Sequence, residues 1–329
     1  MSAREGRSAH VVALAGGVGA SRFLCGLVRV VAPEAVTAIV NTGDDREFYG
    51  VHVAPDLDIV TYALAGIVDR ERGFGIAGDT FAVVDRLGEL GREAWFRLGD
   101  RDFAHCLHRT LRLREGAGLA AVADELRRRL GVATRILPMS EAPCPTIVEL
   151  GAGRRVHFEE YLVRDGAPAD VEGVDLSAAA AAAPAPGVLD AIASADVVLV
   201  CPSNPVVSIG PILAVRGVRD ALAATRAPIV AVSPIVGGKP IKGPADPLLR
   251  GIGAEVSARG VARLYRDWID AIVIDERDAA LRGDVEALDV AVDATDTIMV
   301  DADAAARLAR CALALAERVR ARAGARGRR

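Results

Sequence analysis

His-Val-Val-Ala-Leu-Ala-Gly-Gly-Val-Gly-Ala-Ser-Arg-Phe, residues His10 to Phe23, decides the fold class of this chain. The apolar run Val11 to Ala15 meets Gly16, Gly17 and Gly19, and a helix-compatible segment from Ala20 to Val31 follows. A buried strand, a tight turn and a helix N-terminus in that order open a parallel α/β sheet. From the residues alone, two readings of the glycines stand side by side. Glycine lets backbone approach a ligand, and the first N–H groups of a helix favour an anion, so Gly16 to Gly19 are a candidate phosphate cradle. Equally, the glycines need only let helix and strand pack. The Gly-Gly-x-Gly spacing matches neither the dinucleotide fingerprint nor a Walker loop with its Lys-Ser/Thr.

Outward from this turn the chain alternates. Phe23, Leu24, Leu27, Val28 and Val31 form a core-facing stripe that Pro33 stops, and Val36 to Val40 is a second strand. That is one right-handed crossover of a doubly wound sheet. The second strand ends in Asn41-Thr42-Gly43-Asp44-Asp45, beside the glycine turn. Arg46 to Pro55 reads as a loop, Ile59 to about Ala65 as a helix with Asp56 or Asp58 at its start, and residues 66–132 as a helical insert. Arg135 to Leu137, Thr146 to Leu150 and Val156 to Leu162 read as strands of a small antiparallel element spanning 133–164, and Asp165 to Pro186 as an irregular, Ala-rich connection. Alternation resumes with strands at Val197 to Cys201, Pro228 to Val232, Ala271 to Ile274 and Leu288 to Val292. A long helix from Asp301 and a flexible arginine-rich tail, 320–329, close the chain. The expected fold is α/β: a doubly wound, mostly parallel, Rossmann-like sheet with a helical insert and a small antiparallel element, in one domain over 1–329.

Composition bounds the function. A net charge of −4 argues against a general nucleic-acid binder, and 4% aromatic residues argue against a stacking platform for single strands. Five widely spaced cysteines without a Cys-x-x-Cys pair suit a reduced, cytoplasmic setting. Met1 to Ala9 is polar and does not read as a signal peptide, and the alanine run Ala178 to Ala183 is too short to span a membrane.

In an open α/β sheet, ligands bind at the carboxyl ends of the strands. Gly16 to Gly19, Asn41 to Asp45, Pro202 to Pro205 and Ser233 to Lys239 all follow expected strands and should open onto one face. Asp44, Asp45, Asp56 and Asp58 supply oxygen ligands near a phosphate cradle, which suits Mg²⁺, although turn and capping roles explain the same residues. His105 and His108 lack a third metal ligand and read as structural, His52 lies within the acidic region, and no Gly-x-Ser-x-Gly elbow supports an acyl-serine mechanism.

The motifs together resemble one family. Gly-Gly-Val-Gly-Ala-Ser-Arg-Phe-Leu (Gly16 to Leu24), Asn-Thr-Gly-Asp-Asp (Asn41 to Asp45), Pro-Asp-Leu-Asp (Pro55 to Asp58), Leu-Gly-Asp-Arg-Asp (Leu98 to Asp102), Pro-Ser-Asn-Pro-Val-Val-Ser-Ile-Gly-Pro-Ile-Leu (Pro202 to Leu213), Ser-Pro-Ile-Val-Gly-Gly-Lys-Pro (Ser233 to Pro240) and Asp-Glu-Arg-Asp (Asp275 to Asp278) are similar to those of the 2-phospho-L-lactate transferases, CofD and its bacterial branch FbiA, of coenzyme F-420 biosynthesis. The resemblance implies two substrates: the deazaflavin precursor Fo, and a guanosine-diphosphate donor carrying a phosphorylated acid. The ribityl terminal hydroxyl of Fo attacks the phosphorus next to the acid and GMP leaves. The acid is of the 2-phospholactate, phosphoenolpyruvate or 3-phosphoglycerate type, with phosphoenolpyruvate favoured here.

Carried onto this sequence, the resemblance implies Mg²⁺ on Asp44, Asp45 and Asp58, catalytic roles for Asp45 and Asp58, and Fo binding by Asp58 and Arg97. It places the donor on Gly16, Gly17, Gly19, Ser203, Asn204, Gly237, Gly238 and Lys239, folds the insert over a flavin-like ring gripped mainly by aliphatic groups, and implies a homodimer. The alternative is a CofD-like regulator of the YvcK type, which binds UDP-sugars without transferase activity.

Overall fold

In the computed structural model, residues 9–326 are described. The central sheet has seven strands, all parallel: β1 (Val11–Ala15), β2 (Val36–Val40), β3 (Arg135–Pro138), β4 (Val197–Val200), β5 (Ile229–Val232), β6 (Ala271–Asp275) and β7 (Ala291–Thr295). Their order is β7-β6-β5-β4-β1-β2-β3. The chain moves from β1 to one edge, then returns past β1 and moves to the other, so the winding reverses between β1 and β4. Loops diverge at that point and leave a crevice above the strand ends. Strand β1 is buried on both sides. Val11, Ala13 and Ala15 join one core and Val12 and Leu14 the other, as the two-residue period of a strand requires.

Helices α1 (Gly17–Leu27) and α2 (Pro55–Leu64) cover one face together with the C-terminal helix Ala302–Arg326, through Phe23, Leu24, Leu57, Val60, Leu308 and Leu315. Each such side chain contributes about 1.5–3 kcal/mol when fully buried. Helices at Val188–Ser194, Val218–Ala224 and Ala258–Tyr265 cover the other face. Helix α1 lies so close to the C-terminal helix that a Cβ on Gly26 would stand 2.3 Å from the carbonyl carbon of Ala305. Between β2 and β3 the insert carries α3 (Ala82–Glu89), α4 (Asp100–Arg114) and α5 (Leu119–Arg129). Among the described residues no helix is long and apolar enough to cross a membrane.

Several elements differ from expectation. Arg46–Phe48 and Val51–Val53 form a hairpin, not a loop. Its two central residues, Tyr49 (φ 54°) and Gly50 (φ 80°), both take left-handed backbone, as a type I′ turn demands, but Tyr-Gly lacks the usual Asn-Gly or Asp-Gly signal. Phe48 of the hairpin stacks on Phe96 of the insert, with ring centroids 3.9 Å apart. Helix α2 begins at Pro55, with proline in the first turn, four residues before the expected start. Arg135–Pro138 does not belong to the antiparallel element. It pairs in parallel with β2, as an edge strand, where proline is tolerated. The antiparallel element is instead Ile147–Leu150, Arg154–His157 and Val171–Asp175, the last lying in the stretch read as irregular. Of the expected flexible tail, Arg320 to Arg326 continues the C-terminal helix, and Arg320 Nη2 donates to the backbone carbonyl of Asp196; Gly327 to Arg329, and Met1 to Ser8 of the polar start, lie outside the described residues.

Candidate functional site

The loops after β1, β2, β4, β5 and β7 meet the insert around one cavity of about 730 Å³ at the carboxyl edge of the sheet. Gly16, Gly17 and Gly19 line it, as do Ser203 and Asn204, Asp44, Asp58 and Arg97. Asp45, Gly237, Gly238 and Lys239 do not. The two glycines form the turn of a short hairpin in which Lys239 pairs with Val236, and Pro240 to Ala245 reach the cavity instead. Lys242 is thus the lysine on the wall.

The packing role of the glycine turn has a direct physical basis. A Cβ on Gly16 would lie 2.7 Å from Asp56 Oδ2 and from Ser208 Cβ, and one on Gly19 would lie 2.1 Å from the carbonyl oxygen of Pro202. Those two glycines are needed for close packing. Two of the turn's N–H groups have internal partners: Gly16 donates to Ser203 Oγ at 3.2 Å and Gly17 to Asp56 Oδ1 at 2.7 Å. Asp56 therefore does not cap its own helix. It places a carboxylate at the N-terminus of α1, where the helix dipole favours one.

Asn41, at the end of β2, ties the acidic residues together. Its side-chain amide donates to Asp44 Oδ1 at 3.2 Å and to Asp56 Oδ2 at 2.9 Å, and its Oδ1 accepts from Gly43 N at 2.8 Å. Glu159, from the antiparallel element, joins this floor, and Asp44, Asp56, Asp58 and Glu159 are all buried. Burial raises the Asp44 carboxyl well above the ordinary range, and the charges of Asp56 and Glu159 add to it. Burial pushes Asp56 up to about 6, although Asn41 and Gly17 donate to it. Glu159 is pushed up to about 8 by burial and then by Asp56 and Asp45.

Asp45 shares a 3.0 Å hydrogen bond with His52 Nε2, which is how that histidine enters the site. Its other oxygen, Oδ1, is buried with no partner among the described residues, and so are the hydroxyls of Thr42 and Thr146 on and beside the same loop. Crowded carboxylates short of counter-charge, with an orphaned carboxylate oxygen, fit a hard divalent cation held by Asp44 and Asp45. Asp58 has a counter-charge of its own. Its Oδ1 accepts from Arg109 Nη2, and this arginine, 2% exposed, also donates to the carbonyl of His52 at 3.1 Å. A second grouping, Asp58, Asp102 and Cys106, brings one ligand atom from each within 4.8 Å. It suits a divalent cation less well, because burial raises the Cys106 thiol and keeps it protonated, while Arg109 already balances Asp58.

In the part of the wall that the insert supplies, Arg97 pairs with Asp85 at 2.6 Å and lies 4.7 Å from the ring centroid of Phe81. Phe74, Phe81, Phe96 and Phe158 line the wall, four of the seven phenylalanines in the chain. Aliphatic side chains such as Ile59, Leu98, Val163, Ile241 and Ile298 make up more of the lining, in keeping with the expected mainly aliphatic wall, and the fold adds these aromatic rings to it. Asp102, from the Leu-Gly-Asp-Arg-Asp motif, accepts from Tyr62 OH at 2.8 Å, and burial followed by the charge of Asp58 pushes it up to about 7. Asn41, Tyr62, Arg109, Glu159 and Lys242 were not singled out from sequence. Asn41 had a signal, as the first residue of its motif; the others depend on partners remote in the chain.

A family model described as 2-phospho-L-lactate transferase CofD matches residues 11–313. The chain belongs to the CofD family. It is a CofD-type transferase of coenzyme F-420 biosynthesis. A phosphoenolpyruvate transferase from Kitasatospora aureofaciens is 48% identical over 317 residues, covering 94% of this chain and 99% of the relative. A 2-phospho-L-lactate transferase from Methanothermobacter thermautotrophicus is 44% identical over 293 residues, covering 89% and 94%. A crystal structure of a UPF0052-family protein from Bacillus halodurans superposes with a TM-score of 0.65 at 18% identity, covering 93% of this chain and 99% of that one; it shares the CofD-like fold.

Proposed function

We propose that this CofD-family enzyme transfers a phospho-acid group from a guanosine-diphosphate donor to the ribityl terminal hydroxyl of Fo, with Mg²⁺, and that the acid is phosphoenolpyruvate, giving dehydro F-420-0. The observation that carries the reading is one cavity lined by two unlike sets of residues. One set is Gly16 to Gly19, Ser203 and Asn204 with the buried carboxylates Asp44, Asp56, Asp58 and Glu159, and suits a diphosphate with its metal. The other is Phe81, Phe96 and Arg97 of the insert, and suits a flat ring system. The choice of acid is supported by phosphoenolpyruvate transferases of Streptomyces griseus and Streptomyces coelicolor, 45% and 46% identical to this chain, beside the Kitasatospora relative.

In the transfer, the Fo hydroxyl oxygen bonds to the phosphorus next to the acid. The bond from that phosphorus to the GMP oxygen breaks, and GMP departs with the electron pair. Mg²⁺ on Asp44 and Asp45 would neutralise phosphate charge. Asp58 Oδ2, the oxygen not bonded to Arg109 and 3.9 Å from the Cys106 thiol that donates to it, accepts the hydroxyl proton, while Arg109 fixes the orientation of the carboxylate. Arg97 and the aromatic wall hold the ring so that the ribityl chain points toward the phosphates.

The test is incubation with Fo, Mg²⁺ and each guanylyl donor, with product read by mass. The phosphoenolpyruvate donor should give dehydro F-420-0. No product with any donor, together with tight UDP-sugar binding, would replace this reading with that of the regulator.

A further inference from the structure

The Asp-Glu-Arg-Asp motif at Asp275 to Asp278 is not absorbed by the site: none of its residues lines the cavity. Its place in the sheet suggests why it is there. Strand β6 lies between β5 and β7, and the loops leaving both neighbours do line the cavity, through Ser233 and Pro240 to Ala245 on one side and Thr297 to Val300 on the other.

We propose that Asp275 and Asp278 are positioning residues that clamp these two loops into the wall beside the glycine turn, and so set the affinity for the nucleotide donor without touching it. Asp275 is fully buried. Its Oδ2 accepts from Thr297 N at 2.9 Å and from Thr297 Oγ1 at 2.8 Å, and its Oδ1 from Arg277 N and Nη1 at 3.0 and 2.9 Å. Burial opposes ionisation of Asp275, but these donors outweigh it and hold the carboxyl below its ordinary range. Asp278 reaches the opposite way, and its Oδ2 accepts from Gly237 N at 2.9 Å. Gly237 and Gly238 both have positive φ, and that bond pins the turn from which Pro240 to Ala245 return to the cavity. Hydrogen bonds to a carboxylate are stronger than neutral ones, and breaking one leaves a peptide N–H to find a new partner. Two loops from different strands are therefore held in register by one short turn.

This rests on the proposed binding of the donor at the neighbouring glycine turn, and the experiment separates the two. Asp278→Ala and Thr297→Val are titrated calorimetrically with GDP and, separately, with Fo, and Thr297→Ser is the conservative control because it keeps the hydroxyl. The dissociation constant for GDP should rise about tenfold in Asp278→Ala and in Thr297→Val, stay near wild type in Thr297→Ser, and that for Fo should move less than about twofold in all three. Wild-type GDP binding that the variants retain, or equal weakening of both ligands, overturns the clamp. Absence of GDP binding by the wild-type chain overturns the donor assignment and the clamp with it. Should Asp278→Ala fail to fold, the Thr297→Val and Thr297→Ser pair decides the matter.

Discussion

Replacing Arg109 with methionine probes the link between stability and the buried carboxylate of Asp58 on the cavity wall. The guanidinium is 2% exposed and donates to Asp58, itself 6% exposed. Arg109→Met leaves volume nearly unchanged but strands the Asp58 charge without its partner, which costs about 3–5 kcal/mol. The carbonyl of His52 also loses its 3.1 Å donor, for roughly a further 1 kcal/mol. A loss of about 4–6 kcal/mol is a large share of a typical folding free energy of ~5–15 kcal/mol. Urea unfolding of wild type, Arg109→Met, Asp58→Asn and the double variant measures it. Because the double variant leaves no unpaired charge, it should be about 2 kcal/mol more stable than Arg109→Met alone. An Arg109→Met protein within about 1 kcal/mol of wild type, or a double variant whose loss is the plain sum of the singles, would refute the buried-pair reasoning.

The remaining expectations test other parts of the site. Asp45→Ala should abolish transfer while leaving the unfolding midpoint close to wild type; a normally active, Mg²⁺-dependent variant sinks the cation assignment. Arg97→Ala should weaken Fo binding and spare GDP binding, as read by calorimetry. Glu159 makes stability depend on pH. Unfolded, it loses its proton near 4.5; folded, it keeps it to about 8, so between those values the folded state binds more protons and stability falls as pH rises. Asp56, raised to about 6, acts in the same direction at lower pH. Glu159→Gln should lose less stability than wild type between about pH 5 and about pH 8.5 in denaturant titrations, and an equal slope in the two proteins counts against this. Gly26→Ala, whose new Cβ would meet the Ala305 backbone, should destabilise by about 1–3 kcal/mol, and an unchanged melting temperature would show that the C-terminal helix can shift at little cost.

The sheet was legible from sequence because buried parallel strands are short apolar runs between helical stripes, and Val11–Ala15, Val36–Val40 and Ile229–Val232 are apolar enough for that signal. Where the local pattern was weak, the reading failed. Arg135–Pro138 looks like its antiparallel neighbours, and only its pairing with β2 places it at the sheet edge. The Tyr49-Gly50 turn and the strand Val171–Asp175 lack strong local signals for the same reason: pairing partners, not propensity, make them strands.

The same division runs through the site. Sequence by itself determined the fold class, the family and most of the loops that meet at the cavity, because glycines, carboxylates and apolar runs at short spacing act through local backbone geometry. Only the tertiary structure decided what those loops do to one another. It placed Asp56 at the N-terminus of α1, set Arg109 against Asp58 across 51 positions of chain, brought Glu159 from the antiparallel element to the acidic floor, and turned Asp275 and Asp278 away from the cavity toward its walls. Burial and charge pairing are properties of groups remote in sequence, and they exist only once the chain has folded around them.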